Sequence, residues 1–379
     1  MAFNRRKIAF ITCPLSLIYG LILSIRNILF DLKILKSTEF GIPVISVGNI
    51  TVGGTGKTPH IEYLVRLLKD EFNIAVLSRG YKRKTRNFIL AASDSGSTQI
   101  GDEPRQLKQK FPGVHVAVDR RRVSGIYNLL EKVKDLQAVL LDDAYQHRYV
   151  KPGLSILLID HNQPLSSDHL LPFGNLRERK YETRRADILI ITKTPKNLNP
   201  VEKETLIKEL RIFPYQLLYF TTYEYKNPEP VFRNNKKIPG FQQIKKNKSS
   251  ILLVTGIAQP WPLIKFLHNY SNDIDEMRFP DHHTYTSKDL EKIKLRFANL
   301  KSKIKYIFTT EKDGIRFKEL NITDNELKSS MYFVPVEVVF LYDGERIFNN
   351  NIINYVKKNK CFFLKLKKEK TNSGDLLSL

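Results

Sequence analysis

The chain has 379 residues, of which 42% are hydrophobic; this is enough for about two domains and excludes global disorder. Its formal net charge of +23 favours a polyanionic partner, which could be nucleic acid, an anionic membrane surface or a phosphorylated substrate. The only two cysteines, Cys13 and Cys361, exclude a disulfide framework and a cysteine-based metal site, which fits a reducing compartment.

The first predicted element is an uncharged, largely apolar run over residues 8–25, "IAFITCPLSLIYGLILSI". Its length is marginal for a membrane-spanning helix, which needs roughly 17–25 residues. Basic residues flank the run on both sides, so the charges indicate no direction of crossing. We therefore expect residues 1–36 to form a membrane-associated helix that lies in one leaflet. A buried core helix is the alternative.

Five continuous apolar runs follow, and each is typical of a strand that is buried on both faces. They occupy residues 43–48, 74–80, 136–144, 154–160 and 186–192. Between the first two, residues 59–71 carry apolar side chains at helical spacing. The pattern predicts an α/β fold in which a mostly parallel sheet has helices on each side.

A polar stretch rich in lysine and asparagine, residues 223–250, separates these runs from a second α/β segment that begins at residue 251. The C-terminus is charged and then polar, which is typical of a loose tail. After the N-terminal helix, the sequence therefore predicts a first α/β domain over 37–222, a second, smaller α/β domain over 223–365 and a polar tail over 366–379.

The segment "VISVGNITVGGTGKTP", residues 44–59, has the composition of a phosphate-binding loop between a strand and a helix. Its glycines let backbone amides approach a ligand, and the following helix N-terminus favours phosphate. Lys57 would place a charge on the outer phosphates, and Thr58 a hydroxyl on Mg²⁺. A simple glycine-rich turn is the alternative. The common pattern has glycine at position 51, where this chain has threonine. The predicted nucleotide site comprises Thr51, Val52, Gly53, Gly54, Thr55, Gly56, Lys57 and Thr58.

Two acidic pairs are candidates for metal binding and proton transfer. Asp142 and Asp143 end an apolar strand, which is where P-loop enzymes hold their metal. Asp102 and Glu103, in "GDEP", could hold metal or accept a hydroxyl proton. An acidic pair at a helix N-terminus is, however, commonly only a cap.

Polar residues outside these pairs are further candidates. Gln146 and His147 follow the strand that ends in the first pair, and they could orient metal-bound water or the nucleotide; a structural histidine is the alternative for His147. His282, in "FPDHHTYT", could act in catalysis because histidine titrates near neutral pH, or it could belong to a capped polar loop. Basic clusters at 78–86, 119–122 and 175–185, together with the apolar helix, favour an anionic, membrane-borne substrate over nucleic acid.

Taken in order, these motifs resemble the tetraacyldisaccharide 4′-kinase family, the lipid A 4′-kinases of Gram-negative bacteria. The matching motifs are "SVGNITVGGTGKTP", "SRGYKRK", "GDEP", "DDAYQHR", "LLPFGNLRE", "TGIAQP", "FPDHHTYT" and "TTEKD". The resemblance implies a P-loop NTPase-like α/β/α domain and a second, smaller α/β domain that closes over the nucleotide. It also implies a peripheral enzyme on the cytoplasmic side of the inner membrane. That enzyme would transfer the γ-phosphoryl group of ATP to the 4′-hydroxyl of a tetraacylated glucosamine disaccharide 1-phosphate.

The resemblance further implies roles for single residues. Asp102 matches the family's proposed general base, and His282 matches the histidine that pairs with it. Lys57 and Thr58 would hold the β- and γ-phosphates and Mg²⁺. Acidic positions near the metal match Glu103, Asp142 and Asp143, and positions expected to contact substrate match Arg79, Gln146, His147 and Arg177.

One motif departs from the family pattern, because D-D-G-F-Q-H reads "DDAYQH" here, with Ala144 and Tyr145. The polar residues are kept, so the change concerns packing more than chemistry. The main functional alternative is a membrane-associated P-loop ATPase that acts as a switch or positioning protein. Such a protein would need Lys57 and Asp142, but not Asp102 or His282.

Overall fold

The computed structural model describes residues 5–232 and 239–373, with side chains over 10–232 and 239–359. The chain begins with α1 (Arg5–Asp31) and then forms β1 (Val44–Gly48), α2 (Lys57–Leu68), β2 (Ile74–Ser78), β3 (Ile89–Leu90), α3 (Ser97–Ile100), α4 (Asp102–Lys110), β4 (His115–Val118), α5 (Arg122–Lys132), β5 (Ala138–Asp142), β6 (Leu154–Asp160), β7 (Ile188–Thr192), α6 (Pro200–Leu210) and β8 (Leu217–Tyr225). It continues with β9 (Glu229–Pro230), α7 (Phe241–Lys246), β10 (Ser250–Thr255), α8 (Trp261–Leu267), β11 (Ile274–Arg278), α9 (Ser287–Ala298), β12 (Lys305–Thr310), α10 (Glu311–Lys318), α11 (Asn325–Ser330), β13 (Met331–Val334), β14 (Val336–Phe340) and α12 (Gly344–Ser373).

The first unit is a nine-stranded sheet with its helices, in the strand order β14-β8-β7-β6-β1-β5-β2-β4-β3. Its seven inner strands are parallel, and the edge strands β3 and β14 are antiparallel to their neighbours. Every residue of β1, β2, β5 and β7 is buried, as the continuous apolar runs predict. The predicted α/β fold with a mostly parallel sheet is confirmed.

The second unit is a five-stranded sheet with its helices, in the order β11-β10-β12-β13-β9. Four of its strands are parallel, and β9 runs antiparallel along one edge. Phe308 and Phe317 are fully buried on β12 and α10, where they belong to two separate apolar clusters of this unit. The carboxyl end of its sheet, like that of the first, leads into the cleft described below.

The chain returns to the first unit after the second sheet is complete. β14 pairs with β8, and Phe348, Ile352 and Val356 of α12 lie in the same apolar cluster as Val47 of β1. The last strand and helix of the predicted segment 223–365 therefore belong to the first sheet. The sequence did not assign β14 to the first sheet, because β14 is an edge strand with alternating burial and lacks the continuous apolar run of a central strand.

Two predicted irregular segments are partly regular. β8 extends to Tyr225, and α7 forms within the stretch 223–250, of which residues 233–238 lie outside the described part of the chain. The predicted tail 366–379 continues as α12 to Ser373, and residues 374–379 lie outside that part.

α1 docks on the first unit along one face only. Ser16 Oγ donates a hydrogen bond to the Leu170 carbonyl at 2.8 Å, and Asn27 Nδ2 donates to the buried Glu178 carboxylate at 2.9 Å. The opposite face exposes a row of large apolar side chains, including Leu21 and Ile25. By length and composition, Phe10–Asp31 could cross a membrane. The fully buried core helix considered above is therefore wrong for this segment.

We predict that Phe348→Ala will destabilise the protein by about 3–5 kcal/mol, because it empties a site that is closed by Phe340 and Tyr219. The matched control is Ile347→Ala, which truncates an exposed side chain one residue earlier and should change stability by about 0.5 kcal/mol or less. Urea unfolding followed by circular dichroism measures both. Equal midpoints for the two variants would contradict the packing of α12 on the first sheet.

Candidate functional site

A cleft of about 400 Å³ lies between the carboxyl ends of the two sheets. Residues 52–59, which comprise the loop before α2 and the start of that helix, line its floor. The second unit contributes Gln259, His282 and Lys312 to the opposite wall. Ligands of open parallel sheets bind at this edge, so the position suits a nucleotide site.

Two glycines of the loop adopt backbone conformations that other residues rarely adopt. Gly53 has φ of 113°, and Gly56, which precedes the first turn of α2, has φ of 90°. A Cβ at Gly56 would also lie only 2.0 Å from the Tyr223 hydroxyl oxygen. Position 56 therefore requires glycine both for its backbone angle and for space.

The backbone of Thr51 pairs with another segment of the chain and does not form a tight turn. It forms an isolated antiparallel bridge with Leu176, and the neighbouring Val52 N–H donates to the Asn175 carbonyl at 2.8 Å. A β-branched residue suits such an extended, buried position, so the loop does not need glycine there. The bridge also ties the phosphate loop to the segment that carries Arg177.

Polar side chains hold the end of the loop in place. Asn49 Nδ2 donates to Thr55 Oγ1 at 2.8 Å, and Thr192 Oγ1 donates to the Thr55 carbonyl at 2.9 Å. Both side chains and Thr55 itself are buried. These bonds fix the end of the loop to the residue after β1 and to β7.

Asp143 joins two cations at the floor of the cleft. Its carboxylate lies 3.5 Å from Lys57 Nζ and 3.3 Å from an Arg177 guanidinium nitrogen. Burial alone would raise the pKa of Asp143, but Lys57 and Arg177 outweigh it and lower this pKa below its usual value. Lys57 and Arg177 both line the cleft, where their charges could bind a phosphate.

Asp142 is buried at the end of β5. Burial, followed by the nearby charges of Glu103 and Asp143, raises its pKa to about 7. Its Oδ1 atom is buried and accepts no hydrogen bond, whereas Oδ1 of Asp143 faces the Lys57 ammonium at 3.5 Å. A buried carboxylate oxygen without a donor, as in Asp142, is what a cation would satisfy.

These residues fit a magnesium ion that is shared with a nucleotide. The described part of the chain has no group of three or more His, Cys, Asp or Glu residues arranged for a metal. Magnesium commonly takes only one or two carboxylates and completes its shell with water and substrate phosphates. Thr58, in the first turn of α2, also lines the cleft and adds a hydroxyl.

Glu103 makes a contact between the units. Its carboxylate lies 2.7 Å from Lys312 Nζ of α10. Burial alone would raise the pKa of Glu103, but Lys312 and Lys57 lower it. Glu103 is therefore ionised and paired with Lys312, and it lies close enough to Asp142 and Asp143 for their charges to interact, so its predicted place near the metal stays a prediction.

Asp102 and His282 are in contact although they are far apart in sequence. His282 Nδ1 lies 3.2 Å from Asp102 Oδ2, and Arg316 Nη2 donates to the same oxygen at 2.6 Å. Burial alone would raise the pKa of Asp102, but the His282 hydrogen bond and the charge of Arg316 lower it to about 2. The carboxylate therefore stays ionised at neutral pH.

The predicted substrate residues lie at different distances from this cleft. Arg177 lines it. Gln146 donates to the Asn49 carbonyl behind the loop, and His147 lines a separate cavity at the end of α1. Arg79 is exposed after β2, in a basin that it shares with Arg120 and Arg121. Burial and the nearby arginines lower the pKa of His147 to about 4, so this imidazole is neutral in a positive field.

Three residues of the cleft region were not predicted from the sequence. Arg316 contacts Asp102, Lys312 pairs with Glu103, and Lys193 pairs with Asp160 at 2.6 Å and also contacts Gln259 of the second unit. Lys312 lies in the motif "TTEKD", and its membership of that motif is the sequence feature that could have identified it. Nothing in the local sequence distinguishes Arg316 from other surface-helix arginines.

Comparisons with known proteins agree on one family. The family model described as tetraacyldisaccharide-1-P 4′-kinase, LpxK, matches residues 8–357. A tetraacyldisaccharide 4′-kinase of Phocaeicola vulgatus is 49% identical over 348 residues, which are 91% of this chain and 94% of the relative. One of Bacteroides thetaiotaomicron is 47% identical over 352 residues, with 91% and 93% covered.

A solved structure is similar over nearly the whole chain. It is the "apo" form of LpxK from Aquifex aeolicus in complex with ATP. Its sequence is 28% identical, the TM-score is 0.70, and the match covers 93% of this chain and 99% of that one.

Proposed function

The chain belongs to the tetraacyldisaccharide-1-phosphate 4′-kinase family, and we propose how its cleft carries out the family's reaction. The protein is an ATP-dependent kinase that phosphorylates a lipid A precursor at the 4′ position. The proposal concerns the residues that perform this transfer, the metal, and the membrane surface at which it takes place.

The phosphate loop is proposed to hold ATP by its β- and γ-phosphates. Gly53 to Gly56 supply backbone N–H groups, and Lys57 at the start of α2 supplies a charge. Thr58, Asp142 and Asp143 would hold Mg²⁺, with Glu103 as a nearby charge. The ion would neutralise charge on the transferred phosphoryl group. The buried Oδ1 atom of Asp142, which accepts no hydrogen bond, supports this assignment.

The contact between Asp102 and His282 carries the proposal for the acceptor. In the transfer, the 4′-hydroxyl oxygen forms a bond to the γ-phosphorus, and the bond from that phosphorus to the β–γ bridging oxygen breaks. ADP leaves, and the hydroxyl proton passes to Asp102. Such transfers usually have a loose transition state, so positioning contributes more than base strength. An ionised, oriented carboxylate with a pKa of about 2 suits this role.

The alternative of a P-loop switch ATPase leaves this contact without a role. Asp102 starts α4 in the first unit, whereas His282 lies in a loop of the second unit, and the two side chains meet at 3.2 Å. Transfer to an acceptor molecule gives this contact between the units a role.

The substrate is proposed to approach from the side of α1. Tyr19 of α1 donates a hydrogen bond to the Arg177 carbonyl at 3.1 Å. Leu176, which precedes Arg177, forms the isolated β-bridge with Thr51 of the phosphate loop. The membrane helix and the loop are thus linked through one segment. Arg177, which lines the cleft, is proposed to contact the sugar and phosphate groups of the lipid. Gln146, His147 and Arg79 lie outside the cleft and are proposed to contact only the parts of the lipid that extend beyond it.

α1 is proposed to associate with the cytoplasmic leaflet of the inner membrane without crossing it. The side chains that would enter the bilayer are the exposed ones, while the docked face stays on the protein. The large apolar side chains that α1 exposes are Phe10, Ile11, Leu15, Leu17, Ile18, Leu21, Ile22, Ile25 and Ile28.

We predict that Asp102→Ala will slow lipid phosphorylation by about 10²–10⁴-fold, because the hydroxyl proton loses its acceptor, and that His282→Ala will also slow it. ATP affinity should change by less than about twofold, since neither side chain belongs to the phosphate loop. The protein is incubated with ATP, Mg²⁺ and a tetraacylated disaccharide 1-phosphate in detergent, and the added phosphate is measured by mass spectrometry. Calorimetry measures ATP binding.

The matched control for this experiment is His283→Ala. His283 is the next residue and pairs with Asp289 rather than with Asp102, at 3.0 Å. This variant should keep the wild-type rate. If Asp102→Ala and His282→Ala also keep it, the assignment of the pair is wrong, and if the wild-type protein adds no phosphate, the proposed transfer is wrong.

We predict that replacing Leu21, Ile25 and Ile28 with serine will move the protein from vesicles of anionic phospholipid to the soluble fraction. The three side chains are each at least half exposed, so the change removes bilayer contacts and leaves the docked face intact. The control is Leu295→Ser, which removes an equally exposed leucine on α9. Sedimentation of the triple variant with the vesicles would contradict the proposed membrane face.

A further inference from the structure

We propose that Arg316 is a positioning residue that fixes the orientation of the Asp102 carboxylate, so that Oδ2 is held by the protein and Oδ1 is left for the acceptor hydroxyl. This inference rests on the proposed role of Asp102 as the proton acceptor. It adds to that role a specific partner on the second unit.

The contacts of Asp102 converge on a single oxygen. Arg316 donates to Oδ2 from Nη2 at 2.6 Å and from Nε at 3.0 Å, and His282 Nδ1 lies 3.2 Å from the same atom. Among the described residues, no hydrogen bond or ion pair engages Oδ1 of Asp102. One carboxylate oxygen is therefore fully occupied, while the other can accept a proton from a ligand.

Arg316 is itself held rigidly. Its Nη1 donates to Asp313 Oδ1 at 2.7 Å and to the Gly256 carbonyl at 3.2 Å. Asp313 is completely buried and accepts further hydrogen bonds from the Gly256 N–H at 2.9 Å and from Thr310 Oγ1 at 2.7 Å. The guanidinium is thus fixed on one side by the second unit and presents its other edge to Asp102.

His282 shares the same anchor. Its backbone N–H donates to the Gly256 carbonyl at 3.1 Å, which is the carbonyl that also accepts from Arg316. The two donors to Asp102 therefore move together with the end of β10. Because both reach one oxygen, they set the direction of the carboxylate as well as its position.

A simpler alternative is that Arg316 only ties the two units together. Three other ion pairs already join the α3–α4 side of the first unit to the region of α10. They are Glu103 with Lys312 at 2.7 Å, Lys110 with Glu311 at 2.8 Å and Arg105 with Glu319 at 3.0 Å. None of these pairs contacts Asp102, so they provide a comparison that separates tethering from orientation.

Arg316 is not positioned to touch the nucleotide. Lys312 and Glu311 of α10 line the cleft, whereas Arg316 lies behind them with a side chain that is 6% exposed. Burial alone would lower the pKa of Arg316, but Asp313 and Asp102 raise it. The guanidinium therefore keeps its protons throughout the transfer, and the proton of the acceptor hydroxyl goes to Asp102 Oδ1.

The test measures kcat and the KM for ATP in Arg316→Met and in the matched control Arg105→Met. Arg316→Met should lower kcat by about 10–100-fold, which is the effect of a misdirected catalytic group, and should change the KM for ATP by less than about twofold. Arg105→Met breaks an ion pair near the same helix, and both of its constants should stay within about twofold of wild type.

A double variant shows whether Arg316 acts through Asp102. In the Asp102→Ala background, Arg316→Met should cause no further fall in kcat, because the carboxylate that it orients is absent. A full additional loss in that background, unchanged kcat in Arg316→Met alone, or an equal loss in Arg105→Met would each overturn the inference.

Arg316→Lys keeps the experiment decisive if Arg316→Met does not fold, which thermal unfolding will reveal. A lysine keeps the charge but lacks the fork that reaches Asp102 and Asp313 together, so kcat should fall by about three- to tenfold at an unchanged KM for ATP. A wild-type kcat in this variant would overturn the inference. Absence of lipid phosphorylation by the wild-type protein would instead contradict the proposed function, so the two failures are distinguishable.

Discussion

The site depends on the contact between α4 of the first unit and α10 of the second. α4 begins at Asp102, and α10 begins directly after β12, so both helices start at the cleft. Asp102 with Arg316 and Glu103 with Lys312 form partly buried ion pairs between them. Such pairs are weak evidence for stability, but here they set the distance between the phosphate loop and His282. The proposed geometry of transfer depends on that distance.

The charges at the cleft are arranged in two groups. Asp142, Asp143 and Glu103 lie together near Lys57; burial, followed by the charges of Glu103 and Asp143, raises the pKa of Asp142 to about 7. Asp102 is more than balanced by cations, and its pKa is about 2. The first group is suited to a cation that arrives with ATP, and the second to a neutral hydroxyl. One cleft can thus bind a phosphoryl donor and an alcohol acceptor in separate electrostatic environments.

Much of this architecture could be predicted from the sequence. Central parallel strands are continuous apolar runs, and the phosphate loop requires glycine at positions 53 and 56, where φ is positive. The return of β14 to the first sheet could not be predicted, since an alternating edge strand pairs with either sheet equally well in sequence terms. The proximity of Asp102 and His282 followed only from resemblance. Arg316 was missed because its role comes from a tertiary contact with a residue 214 positions away. Thr51 departs from the common loop pattern because its backbone pairs with Leu176 instead of turning.

The account depends on one fixed register between the two units, which the Asp102–Arg316 and Glu103–Lys312 ion pairs set. The most direct measurement is the distance between spin labels on Tyr127→Cys of α5 and Leu295→Cys of α9, two exposed positions, with Cys13 and Cys361 replaced by serine. In the absence of nucleotide, pulsed electron paramagnetic resonance should give a single narrow distance distribution. A broad distribution that becomes narrow only after ATP is added would contradict the account.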